Sequence, residues 1–103
     1  METLYHVKNA IQMIAVKSGA HKAILFGSYA RGTATRHSDI DVVFVEDTVE
    51  PFLKRMDKYL YPLLDILNEP VEVMVYTPEE FARMQGGPFM KQLLSEGVVV
   101  YEQ

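Results

Sequence analysis

The chain has 103 residues, enough for one hydrophobic core and one site, with little left over for a separate substrate-recognition domain. Hydrophobic residues at 49% and charged residues at 23% match an ordinary globular composition and exclude a disordered or fibrous chain. Ten Lys and Arg against fourteen Asp and Glu leave a formal charge of −4, which argues against long DNA or RNA as the main ligand.

Cysteine is absent, so there is neither a disulfide framework nor a thiolate zinc site, which fits a cytoplasmic protein. No leader segment and no run approaching the length of a membrane span is visible, and no membrane partner is expected. Without repeats or low-complexity stretches, residues 1–103 read as one domain.

In chain order, Thr3 to Ser18 predicts an amphipathic helix with Leu4, Val7, Ile11, Ile14 and Ala15 on one face. Thr3 is placed to cap its start and Gly19 to end it. Ala23 to Phe26 is a strand-like apolar run broken by Gly27-Ser28, and Tyr29 to Gly32 follows as a short turn. A polar loop then leads to Ser38-Asp39-Ile40-Asp41 and a second apolar run, Val42 to Val45. Glu46-Asp47-Thr48 reads as a polar turn.

From about Pro51, Phe52, Met56, Leu60, Leu63, Leu64 and Leu67 recur at helical steps. Pro62 interrupts that pattern and predicts a kink or two short helices. Lys54, Arg55 and Lys58 predict a solvated basic face. Val71 to Tyr76 is a β-branched strand run, and Thr77-Pro78-Glu79-Glu80 is a helix start with a capping box. Phe81 and Met84 point inward from that helix, and Gly86-Gly87-Pro88 makes a turn. A last helix over Phe89 to Glu96 should bury Leu93 and Leu94, before Gly97 and a final strand from Val98 to Tyr101. This order predicts an α/β (α+β) two-layer sandwich, a sheet with covering helices.

Chemistry concentrates between Ala23 and Val45. Gly27 lets the main chain approach a ligand closely. If Ser28 opens a helical turn, its free amides suit a phosphate, to which Arg31 and Arg36 can add charge. Asp39 and Asp41 alternate along an extended chain and so share a face, while Ile40 points to the core. Two adjacent carboxylates repel unless one is protonated or a cation intervenes, and hard oxygen ligands suit magnesium or manganese. His6 and His21 have no partner at metal-ligand spacing and read as surface or packing residues; His37 reads the same way, though beside Ser38-Asp39 it could touch substrate.

The string GSYARGTATRHSDIDVVF resembles the minimal nucleotidyltransferase branch of the DNA polymerase beta superfamily, with an "ARG" after the Gly-Ser and a "SDID" opening the second strand. The closing SEGVVVYE is also similar to the end of many small members. The resemblance implies a mixed sheet of the polymerase beta type. It also implies a triphosphate held by Gly27 and Ser28, and two divalent ions (Mg2+ or Mn2+) held by Asp39 and Asp41. A third carboxylate on a later strand completes the family's site, and Glu72, the one charge within Val71 to Tyr76, stands there where the family usually carries aspartate.

The expected reaction is transfer of a nucleoside monophosphate, AMP from ATP by family habit, to a hydroxyl acceptor. Minimal nucleotidyltransferases often pair with a helical HEPN-type partner, some modifying a tyrosine of that partner as antitoxins. A homodimer is reasonable from the open edges of so small a sheet. Two other readings stand beside this one: a binding module that keeps a nucleotide pocket without turnover, and a small-molecule modifier of the aminoglycoside type whose helical domain a partner would supply.

Overall fold

A computed structural model describes residues 1–103. The sheet has four strands in the order β3-β2-β1-β4: β1 (Lys22–Phe26), β2 (Ile40–Val45), β3 (Val71–Tyr76) and β4 (Val98–Glu102). β1 runs antiparallel to both β2 and β4, whereas β2 and β3 are parallel. The sheet is therefore mixed, as the resemblance implied.

α1 (Leu4–Ser18) forms where the apolar spacing placed it. Thr3 accepts from the His6 amide at 3.1 Å, and Gly19 ends the helix in the left-handed region with φ 75°. Val7, Ala10, Ile11, Ile14 and Ala15 are buried against the sheet, while Leu4 lies outside the core at 41% exposure. α2 is the short turn Gly27–Arg31 at the end of β1.

The segment from Pro51 forms two short helices, as expected, with the break ahead of Pro62. A 3-10 turn at Phe52–Lys54 is followed by α3 (Asp57–Ile66), which carries Pro62 in its interior. The break falls at Arg55-Met56, because Arg55 is drawn away from the expected basic face. Its Nε donates to Glu50 O at 2.8 Å, and its Nη1 donates to Val75 O at 3.2 Å and to Glu80 Oε1 at 2.6 Å. Arg55 is thus a buried tie, while Lys54 and Lys58 of the predicted solvated basic face are exposed, Lys58 pairing with Glu46.

α1 and α3 cover one face of the sheet, where Leu25, Ile40, Val42, Phe44, Val73 and Val75 meet Ile11, Tyr59 and Leu63 in the main core. Phe44 and Tyr59 stack at 4.0 Å between centroids. Tyr59 donates to Glu46 Oε1 at 2.6 Å, which satisfies a carboxylate buried at the end of β2 where a polar turn was expected.

α4 (Pro78–Arg83) begins with the predicted capping box between Thr77 and Glu80. α5 (Pro88–Glu96) lies on the second face, where Met90 and Leu93 pack on Ile24 and Val43, with Phe81 and Met84 at the margin. Leu94, expected in the core, is 62% exposed, because the buried stripe of α5 passes through Met90 and Leu93. Each edge strand has one carbonyl taken by a side chain: Val75 O by Arg55, and Val100 O by Gln12 at 2.8 Å, beside a register shift in β4. Such caps blunt the edges that would otherwise extend a sheet between copies. No helix is long and apolar enough to cross a membrane.

Candidate active site

Alternation along β2 divides its side chains between the two faces. Ile40, Val42 and Phe44 enter the main core, and Asp41 and Val43 point the other way. On β3, Val73 and Val75 enter the same core, which turns Glu72 and Met74 to the face of Asp41. The parallel register makes Asp41 and Glu72 direct partners. The carboxylates of Asp41 and Glu72 therefore meet, and Asp39, two residues before Asp41, adds a third charge nearby.

Electrostatics record that crowding. Burial pushes the Asp41 carboxyl up from its ordinary value of 3.8 to about 6, helped by Glu72 beside it and then by the charge of Asp39, while Arg31 pulls the other way. A carboxyl held this way keeps its proton to higher pH than an ordinary aspartate, and a bound cation relieves the same crowding. The donor set of Asp41 with Glu72 and exposed Asp39 therefore fits a hard divalent cation. No three acidic, His or Cys side chains are closed into a ready-made cage, so Asp41 and Glu72 are the central pair with Asp39 outside them.

β1 brings the phosphate turn to the same place. Phe26 pairs with Asp41 across the antiparallel ladder, and Gly27 follows with φ 73°. A Cβ on Gly27 would overlap Asp41 Oδ2 and lie 3.3 Å from Asp41 Cγ. Glycine is required here both for the left-handed backbone and for this approach. α2 opens with no side-chain cap at Phe26, and Ser28 stands half-buried in its first turn, next in the chain to Gly27.

The two predicted arginines differ. Arg31, the last residue of α2, donates to Glu96 Oε2 at 3.0 Å while its charge still reaches Asp41. Arg36 lies exposed in the loop between α2 and β2. Glu96 was not singled out from the sequence, although an acid ending a helix, against its dipole, was a usable signal. His6 pairs with Glu2 and His21 with Asp47, and exposed His37 donates its backbone amide to Thr35 Oγ1.

The larger surface concavities are elsewhere. Two of 520 and 580 Å3 lie around Glu46 to Lys58 and Asp47 to Glu50, and neither is lined by Asp39, Asp41 or Glu72. Size is the weaker guide here, since neither hollow brings carboxylates from two strands together beside a glycine turn, as Asp41 and Glu72 are beside Gly27. The acidic end is an open shelf.

Comparison with known proteins follows from this geometry. The profile of the nucleotidyltransferase domain family matches residues 8–100. A Methanocaldococcus jannaschii protein provisionally named protein adenylyltransferase MJ0604 is 37% identical over 81 residues, covering 78% of this chain and 77% of that one. A second from the same organism, MJ0435, provisionally named likewise, is 36% identical over 70 residues, 68% of this chain and 74% of its own.

Among solved structures, a toxin–antitoxin crystal structure with AMP-PNP aligns with a TM-score of 0.72 at 21% identity, covering 93% of this chain and 73% of that one. An MntA–HpeT toxin–antitoxin structure aligns at 0.70 and 19% identity, with the same coverages. At such identities the likeness is one of fold. On the family match and the archaeal relatives, the chain belongs to the nucleotidyltransferase domain family and is a nucleotidyltransferase.

Proposed function

We propose that this chain transfers AMP from ATP to a protein hydroxyl, a tyrosine of a helical HEPN-type toxin, and so acts as the antitoxin of that partner. The observation that carries the chemistry is the meeting of Asp41 with Glu72 directly beside Gly27, with Asp39 alongside. Divalent cations held by Asp39, Asp41 and Glu72 would lower the pKa of the acceptor hydroxyl and neutralise the departing pyrophosphate.

The chain's own groups do the positioning. Gly27 and Ser28 bring the backbone of α2 against the triphosphate, and Arg31 and Arg36 supply positive charge to its oxygens. The acceptor oxygen attacks the α-phosphorus in line, a new O–P bond forms, and the α–β phosphoanhydride bond breaks to release pyrophosphate. Glu72, the more exposed member of the pair, would take the hydroxyl proton in this reading. Alignment and charge neutralisation supply most of the acceleration such a transfer needs.

Two further observations support the acceptor. The archaeal relatives are named protein adenylyltransferases, and structures of like fold come from toxin–antitoxin complexes, one with AMP-PNP. The site is also an open shelf with no second wall from this chain, which suits a macromolecular acceptor that completes it. The test is incubation with magnesium, ATP labelled at the α-phosphate and the co-purifying helical partner, followed by mass mapping of the adduct. Label on a partner tyrosine, absent with Asp39→Ala/Asp41→Ala or with chelator, is the expected result. Label that survives the double variant excludes the carboxylate mechanism.

A further inference from the structure

We infer that Glu96 is the positioning residue for Arg31, holding its guanidinium ready for the nucleotide's phosphates; this rests on the nucleotidyl-transfer reading above.

Glu96 sits where its own helix disfavours it. A carboxylate is unfavourable at the negative end of a helix dipole, and Glu96 is the last residue of α5, whose final turn contains no basic residue. Compensation comes from a different element, through the 3.0 Å hydrogen bond from Arg31 Nη1 to Glu96 Oε2. With 43% of the Arg31 side chain and 30% of the Glu96 side chain exposed, the pair adds little to folding. Stability alone is therefore a poor reason for it.

Both ends of the pair are anchored. After Glu96 the chain passes so close to β1 that a Cβ on Gly97 would come 2.8 Å from Ile24 Cγ2 and would overlap Leu93 O. Glu96 is thereby fixed relative to the sheet. Arg31 closes α2 just before Gly32, which turns left-handed at φ 76°. Ser28 and Arg31 are three residues apart and share one side of that helical turn. The charge of Arg31 also reaches Asp41, so the residue that bonds Glu96 acts on the acidic shelf as well.

A guanidinium has five N–H donors in a rigid fork, and this bond to Glu96 uses one nitrogen, leaving donors for phosphate oxygens. A free arginine loses rotamer freedom when it closes on a ligand, and one already held loses less. Glu96 should therefore affect how tightly the nucleotide is held and leave the chemical step nearly untouched.

The experiment titrates wild type, Arg31→Ala, Glu96→Ala, Glu96→Gln and the Arg31→Ala/Glu96→Ala double variant with magnesium and AMP-PNP by calorimetry. Label transfer from ATP and thermal melting are followed in parallel. Glu96→Ala is expected to weaken Kd and raise KM about tenfold while kcat stays within about twofold. Glu96→Gln, which keeps an oxygen to accept from Arg31, should recover most of that loss. In the Arg31→Ala background Glu96→Ala should add nothing. Losses that add, an unchanged Kd accompanied by a lower melting point, or tighter binding by Glu96→Ala would each overturn the inference; the last would show the carboxylate competing with phosphate. Wild-type protein that binds no nucleotide would sink the nucleotidyl-transfer reading and this inference with it, whereas additive losses in a binding-competent protein sink this inference alone.

Discussion

Asp41 and Glu72 are cross-strand partners in the one parallel ladder of the sheet, so that two carboxylates from strands 31 residues apart share a proton's worth of space beside Gly27. That arrangement costs stability and supplies the site's chemistry at once.

Replacing Asp41 by Asn should expose this exchange. Asp41 binds its proton more tightly folded than unfolded, so its protonated form supports the fold below about pH 4, and that support is lost as pH rises to about 6. Asp41→Asn removes the penalty at neutral pH and should melt higher than wild type at pH 7, with the difference vanishing below pH 4. Transfer should fall by orders of magnitude. Added magnesium should raise the melting point of wild type but not of the variant, and scanning calorimetry at both pH values reads each outcome.

Gly27→Ala tests the close approach. The added Cβ collides with Asp41 Oδ2, and the backbone at φ 73° is strained for any L side chain. The expected cost is about 1–2 kcal/mol of stability, with activity falling at least a hundredfold because the carboxylate must move away from its position. A variant that retains wild-type kcat would show that Asp41 tolerates displacement.

Acid stability should depend on Glu80. The Arg55 guanidinium, followed by the Thr77 amide, holds its carboxyl down from the ordinary 4.5 to about 2. A depressed folded value gives stability that is present above about pH 4.5 and is lost as pH falls towards 2. Glu80→Ala also leaves Arg55 nearly buried without its carboxylate, at a cost of about 2–3 kcal/mol; this is below the full cost for a fully buried pair because the Glu80 side chain is 29% exposed. Urea titration at pH 7 and pH 3 should show wild type losing most of its advantage over Glu80→Ala at the lower pH.

Leu93 and Leu94 are neighbours in sequence with opposite fates, and truncation should separate them. Leu93→Ala opens a cavity beneath α5 and should cost about 2–4 kcal/mol. Leu94→Ala changes only exposed surface and should stay within about 0.5 kcal/mol of wild type. Equal denaturation midpoints for the two variants would contradict the placement of α5.

The sequence by itself determined what depends on neighbours along the chain. Periodicity placed α1 and the four strands, Thr3 and Thr77 capped the helices they precede, and the alternation of Asp39, Ile40 and Asp41 put both aspartates opposite the core. Each of these follows from backbone geometry with a period of two or 3.6 residues. The segment from Pro51 forms two short helices, as expected, but the break between them falls beside Arg55, whose partners Val75 and Glu80 lie 20 and 25 residues away.

Only the tertiary structure decided the pairing of Asp41 with Glu72, the tie from Arg31 to Glu96, and the choice of Leu93 over Leu94 for the core. Register between β2 and β3 matches the burial of Val42, Phe44, Val73 and Val75 in one core, and slipping β3 by one residue would send Glu72 into the wrong layer. Local pattern can put each carboxylate on a face; only packing between distant segments can bring two such faces to one point.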